Sequence, residues 1–145
     1  MEKPERPEAM ERDDLEGAKA AAEYVLRLYP YVYASGDITE WNAMSKDGCK
    51  FCKSVADNVT KLHQEGGYST GSEVVIESIE GRPPYGGHDY FEILIQGTAT
   101  PSKRMNPDGS TLDEFEGGRA LFYIAVTRVN DSWLIHGVAT EPVDG

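Results

Sequence analysis

Apolar residues in this chain keep two different rhythms, and the change falls near residue 71. Upstream they recur every third or fourth position, as on one face of a helix. Downstream they alternate, as on one face of a strand. Leu15, Ala18, Ala22, Val25, Leu26 and Tyr29 form the stripe of a first helix. Asp13 is its expected N-cap, with Glu16 reaching back as in a capping box. Pro30 lacks a backbone donor and is expected to kink or stop that helix. Beyond Ser35-Gly36-Asp37, Asp37 and Glu40 make a second box-like start, and Trp41 and Met44 are the apolar residues of a short helix. A third helix carries Cys52, Val55, Ala56, Val59 and Leu62 on one face. Asp47 is its expected N-cap and Gly66-Gly67 its end.

The alternating half predicts four strands. Residues 72–80 are rich in Val and Ile and read as the first. Residues 81–87 are a loop by composition. Along 89–99, Phe91, Ile93 and Ile95 alternate with Glu92, Leu94 and Gln96, as in a half-buried strand. Residues 101–118 read as a long polar loop, with Lys103-Arg104 a small solvated basic spot. Residues 119–129 and 133–140 are the last two strands, joined by a two-residue turn at Asn130-Asp131. That turn sets Val129 opposite Ser132, Val126 opposite Ile135 and Ile124 opposite Gly137. Phe122, Ile124, Val126, Trp133 and Ile135 then share the face toward the helices, and Tyr123, Ala125, Leu134, His136 and Val138 the other.

Helices followed by an antiparallel meander make an α+β chain. At 145 residues it reads as one domain, 13–145, behind a charged and proline-bearing tether at 1–12. A net charge of −11 argues against nucleic acid and against an anionic membrane surface. The longest apolar run, 120–126, is too short to cross a bilayer.

Cys49 and Cys52 are the only two cysteines. Their i, i+3 spacing in a first helical turn leaves the Cα atoms roughly 5 Å apart, within reach of a disulfide. A redox-active pair beside Lys50 and Lys53 is the alternative, although the βαβ context of such motifs is missing. Zinc would need two further ligands, which His63, His88 and His136 do not supply by spacing. Two unlinked buried thiols complete the options. No catalytic motif or cofactor motif stands out. Asp37, Glu92, Tyr123 and His136 are candidates by residue type alone, and each also reads as a cap or surface residue.

The long first helix, the Gly36-Asp37 break, the short second helix and the terminal hairpin with Trp133 resemble the NTF2-like, or cystatin-like, superfamily. More narrowly, Glu16-Gly17-Ala18, Gly36-Asp37 and Cys49-x-x-Cys52, in that order, resemble a family of uncharacterised actinobacterial surface lipoproteins. The first resemblance implies a cone, three helices on a curved four-stranded sheet, with Tyr29, Tyr33, Trp41, Phe91, Phe122 and Trp133 as candidate pocket lining. The second implies an extracellular domain, lipid-anchored through a cysteine upstream of this sequence, with no known activity, cofactor or metal. The expected function is non-catalytic binding of a cell-surface protein or a small apolar ligand, through the cone mouth or the outer sheet face. A cone-pocket isomerase or dehydratase is the alternative, and a thiol oxidoreductase the third.

Overall fold

The structure, a computed structural model, describes residues 2–143. The ends of the expected tether and domain, residues 1 and 144–145, lie outside the described residues. Helices α1 (Leu15–Ser35), α2 (Thr39–Met44) and α3 (Lys50–Gln64) precede seven strands in two antiparallel sheets. The expected α+β architecture holds, but the single four-stranded sheet does not. β2 (Val74–Arg82), β3 (Phe91–Ala99), β6 (Gly118–Val129) and β7 (Ser132–Pro142) form one sheet in the order β2-β3-β6-β7. β1 (Tyr68–Gly71), β4 (Ser102–Met105) and β5 (Thr111–Phe115) form a second, in the order β1-β4-β5.

The stretch read as a polar loop is therefore a β-hairpin. Asn106-Pro107-Asp108-Gly109 is its turn: the Asn106 N–H donates to the Ser110 carbonyl at 2.8 Å, and Asp108 Oδ1 accepts from Ser110 N at 2.9 Å. Two residues separate β1 from β2, β3 from β4 and β5 from β6. Each pair behaves as one long strand broken at a common seam. At Gly71 the backbone takes φ +86°, and a Cβ there would lie 2.0 Å from the Pro101 carbonyl oxygen. Only glycine allows that crossing.

α1 begins one residue later than expected. Asp14, not Asp13, caps it, accepting from Gly17 N at 3.0 Å while Arg12 holds the same carboxylate at 2.6 Å. The helix also runs through Pro30 to Ser35. Leu28, Val32 and Tyr33 are buried on both sides of the proline, and this packing outweighs the lost hydrogen bond. α3 is capped by Cys49 Sγ, which accepts from Cys52 N at 3.2 Å, and not by Asp47. The terminal hairpin turns at Asn130 and Asp131, with φ of 50° and 64°. Val126 faces Ile135 as expected, but a bulge next to Val126 sets Ile124 opposite Val138 instead of Gly137. The extra residue flips Val138 onto the helix-facing side, where it packs against the core.

The expected tether is corrected by contacts of its second half. Glu8–Glu11 form one 3-10 turn, and Met10 is 2 % exposed. Trp133 Nε1 donates to the Met10 carbonyl at 2.9 Å, as does Arg128 Nη1, and Arg128 Nη2 donates to that of Glu11 at 3.2 Å. A segment too polar by composition to bury much thus lays the Met10 side chain in the core.

Farther upstream, Lys3 and Arg6 pair with Glu40 at 3.2 and 3.0 Å, and the Tyr24 hydroxyl donates to the same carboxylate. Burial raises the Glu40 pKa, but Tyr24, Arg6 and Lys3 together outweigh it and hold the group below its ordinary value. A carboxyl depressed in the fold contributes stability above its unfolded pKa, near 4.3, and loses it as pH falls through the folded value. Urea denaturation of Glu40→Gln should therefore show less loss of stability between about pH 5 and pH 3 than the parent chain. Equal slopes would show that the pairing adds nothing.

Candidate functional site

Four aromatic side chains meet where the helices face the seam. Tyr29 of α1 lies 4.9 Å from Tyr33, 6.3 Å from Trp41 of α2 and 6.3 Å from Phe51 of α3, centroid to centroid. Trp41 is fully buried, and its indole N–H donates to the Cys52 carbonyl at 3.0 Å. Cys52 is in turn bonded to Cys49, with Cα atoms 5.3 Å apart, so the disulfide expected from spacing is present. Both cysteines are buried, at 4 % and 2 % exposure. Their place in the fold is structural: the bridge fixes the first turn of α3, that turn fixes the Cys52 carbonyl, and the carbonyl orients Trp41.

Two chambers open around this cluster. The first, about 210 Å³, is walled by Val25, Leu26, Tyr29, Trp41 and Phe51 from the helices and by Val74, Phe122 and Val138 from the large sheet. The second, about 260 Å³, is more polar than the first, with Tyr33, Ser69, Ser72, Thr100, Ser102 and Arg104 among its walls. The two adjoin at Tyr29, Ser72 and Ala99. Burial, then the neighbouring Tyr33, pushes the Tyr29 phenol well above its ordinary pKa, against the opposite pull of Arg104. Tyr29 therefore stays protonated and able to donate. Neither chamber is lined by a carboxylate or a histidine.

Of the six aromatics expected to line a pocket, Tyr29, Trp41 and Phe122 line the first chamber, and Tyr29 and Tyr33 the second. Phe91 and Trp133 do not belong to it. They pack edge to face at 5.4 Å at the far end of the sheet, where the turn carrying Met10 covers Trp133. Phe51, Arg104 and Phe115 are lining residues that the sequence reading missed.

The four candidates chosen by type lie elsewhere. Asp37 accepts from Thr39 N and from the Tyr31 hydroxyl, both at 3.1 Å, but the N-cap position of α2 is Ile38, so Asp37 is not the expected N-cap. Glu92 and Tyr123 line an open groove of about 750 Å³ on the outer face of the large sheet. Glu92 is engaged there by Arg82, His88 and the Tyr85 hydroxyl. Tyr123 donates to Glu141 at 3.1 Å. His136 lies on the outer face, as the register predicted, and stacks on Tyr90 at 4.6 Å. Among the described residues no group of three or more His, Cys, Asp and Glu is placed to hold a metal ion, and no helix is long and apolar enough to cross a membrane.

A family model described as a family of unknown function, DUF6318, matches residues 2–139. No curated protein matches the chain. Among solved structures, the crystal structure of the intermembrane space region of the chloroplast protein ARC6 is similar, with a TM-score of 0.65 and 10 % identity. The likeness covers 91 % of this chain and 99 % of that one, and at that identity it concerns the fold alone.

Proposed function

This chain belongs to the DUF6318 family, and on that premise we propose that it is a non-catalytic binding domain holding a small apolar ligand in the first chamber. The observation that carries the reading is an apolar chamber of about 210 Å³ walled by side chains from all three helices and the large sheet. An apolar cavity of roughly 150 Å³ already accepts benzene, and ordinary ligand sites span roughly 300–1,000 Å³, a range reached once the adjoining second chamber is counted. An isomerase or dehydratase working in such a pocket would need an acid beside its phenols. The phenols are there, and no acid stands beside them. Glu92 and Tyr123 share the outer groove, but that groove is open to water and gives a general acid no shielded site. The reading also takes the fold as an NTF2-like cone and the chain as an extracellular, lipid-anchored surface protein. The sequence resemblance supports both, and the Cys49–Cys52 bridge fits an oxidising compartment.

The test uses 1-octanol as a neutral apolar probe. Titration followed by two-dimensional NMR should shift resonances of Tyr29, Trp41 and Phe122 at saturating probe. Ala99→Phe, at the junction of the chambers, should abolish those shifts while the variant stays folded. No shifts in the parent chain, or shifts unaffected by a folded Ala99→Phe, would remove the proposal.

A further inference from the structure

The second chamber carries one cation in a strongly acidic protein. Among the described residues, Arg104 is the sole charged residue lining it. Its guanidinium lies over two aromatic rings, 5.5 Å from the Tyr33 centroid and 5.3 Å from that of Phe115. Its neighbour Lys103 is paired with Glu114 at 3.6 Å. Arg104 faces Asp113 in the strand register, yet makes no ion pair among the described residues. In a chain with 25 acidic and 14 basic residues, a half-buried arginine without a carboxylate partner is not the default arrangement. A guanidinium keeps its charge and offers several donors in a plane, and aromatic faces hold that plane without using the donors.

Around it stand hydroxyls and no acid. Tyr29, Ser69, Ser72, Thr100 and Ser102 line the same chamber. Hydroxyls donate as readily as they accept, so the chamber wall can solvate an anion, and Asp113, opposite Arg104 in the register, is exposed and outside that wall. The apolar chamber begins on the other side of Tyr29. At about 30 Å³ for a group of water or methylene size, its volume takes roughly seven such groups.

We infer that the ligand is a single-chain amphiphile with an anionic head, the head held by Arg104 beside Tyr33 and Phe115 and the tail lying in the chamber beneath Trp41. The inference rests on the apolar-ligand reading above and adds the chemistry of the head. It requires monomeric ligand. The net charge of −11 opposes an anionic bilayer, so a free amphiphile is the source and not a membrane surface.

Three probes of equal tail length separate the possibilities: octanoate, octanol and octyltrimethylammonium, each below its aggregation concentration and measured by NMR titration on the full chain. Octanoate should bind about tenfold tighter than octanol or better, the gain of charge-assisted hydrogen bonds to a guanidinium. The cationic probe should bind weakest, against the sign of the net charge. Arg104→Met keeps the apolar stem beside the two rings; it should erase the octanoate advantage over octanol. In the parent chain, added salt should weaken octanoate alone, a readout that does not depend on any variant folding. Equal binding of octanoate and octanol overturns this inference and leaves the apolar-ligand reading standing, whereas failure of both probes removes that reading too. Co-sedimentation with anionic vesicles that Arg104→Met abolishes would assign the arginine to a bilayer and also overturn the inference.

Discussion

Deleting residues 2–12 will lower the melting temperature by about 5–15 °C. This follows from Met10, which is 2 % exposed beneath a turn whose carbonyls accept from Trp133 and Arg128. Removing a buried methionine side chain costs roughly 2–5 kcal/mol, and each kcal/mol moves the melting temperature of a domain near this size by roughly 2–4 °C. The deletion also uncovers Trp133. Met10→Ala isolates the packing part and should give most of the loss. A control deletion of 2–5 should give little, because Lys3 contributes only a single half-exposed ion pair to Glu40. An unchanged melt after Met10→Ala would return the segment to the status of a solvated tether.

Gly17→Ala will destabilise the protein, although alanine is the better helix former. By propensity alone the exchange should stabilise by about 1 kcal/mol. At this position a Cβ would lie 1.9 Å from the Arg12 carbonyl oxygen and 3.1 Å from Cζ2 of Trp133. Neither is the end of a flexible chain: one is backbone fixed next to the Asp14 cap, the other a buried ring. Relief requires lifting the strap of residues 10–12 off α1, so the loss should reach the upper part of the roughly 1–3 kcal/mol typical of overpacking. Thermal melts decide this, and a gain in stability would show that the strap is not seated on Gly17. The close approach also supplies a physical reason for glycine in the Glu16-Gly17-Ala18 triplet.

What could be read in the sequence was what local chemistry dictates. The three helices, the Asn130-Asp131 turn, the pairing of Val126 with Ile135 and the Cys49–Cys52 bridge each depend on residues close in the chain. The errors came where neighbouring residues are equal by type, or where tertiary packing or a one-residue irregularity decides. Asp13 and Asp14 cap equally well by type, and Arg12 with Gly17 selects Asp14. Pro30 stops a helix unless residues beyond it are buried, and Tyr33 is buried by tertiary packing. Val138 changed faces because of a one-residue bulge, which periodicity alone does not mark.

The small sheet was the costliest omission, since it supplies Ser69, Ser102, Arg104 and Phe115 to the crevice. Its signal was present. Asn106-Pro107-Asp108-Gly109 is a turn sequence, and Leu112, Glu114 and Phe115 follow it at strand density. The exposure of β5 along its whole length removed the alternation that would have identified it. By composition Arg104 reads as a loop residue in water, whereas strand geometry turns it toward Tyr33.

The proposed ligand site is the crevice between the helices and the seam of the two sheets. Intermolecular NOE spectroscopy of the full chain saturated with octanoate tests it most directly. Cross-peaks are expected from the tail protons to the rings of Tyr29, Trp41 and Phe122, and from the protons next to the carboxylate to Tyr33 and Phe115. Cross-peaks confined to Leu94, Tyr123 and Ala139 on the outer sheet face, or none at saturation, would contradict it.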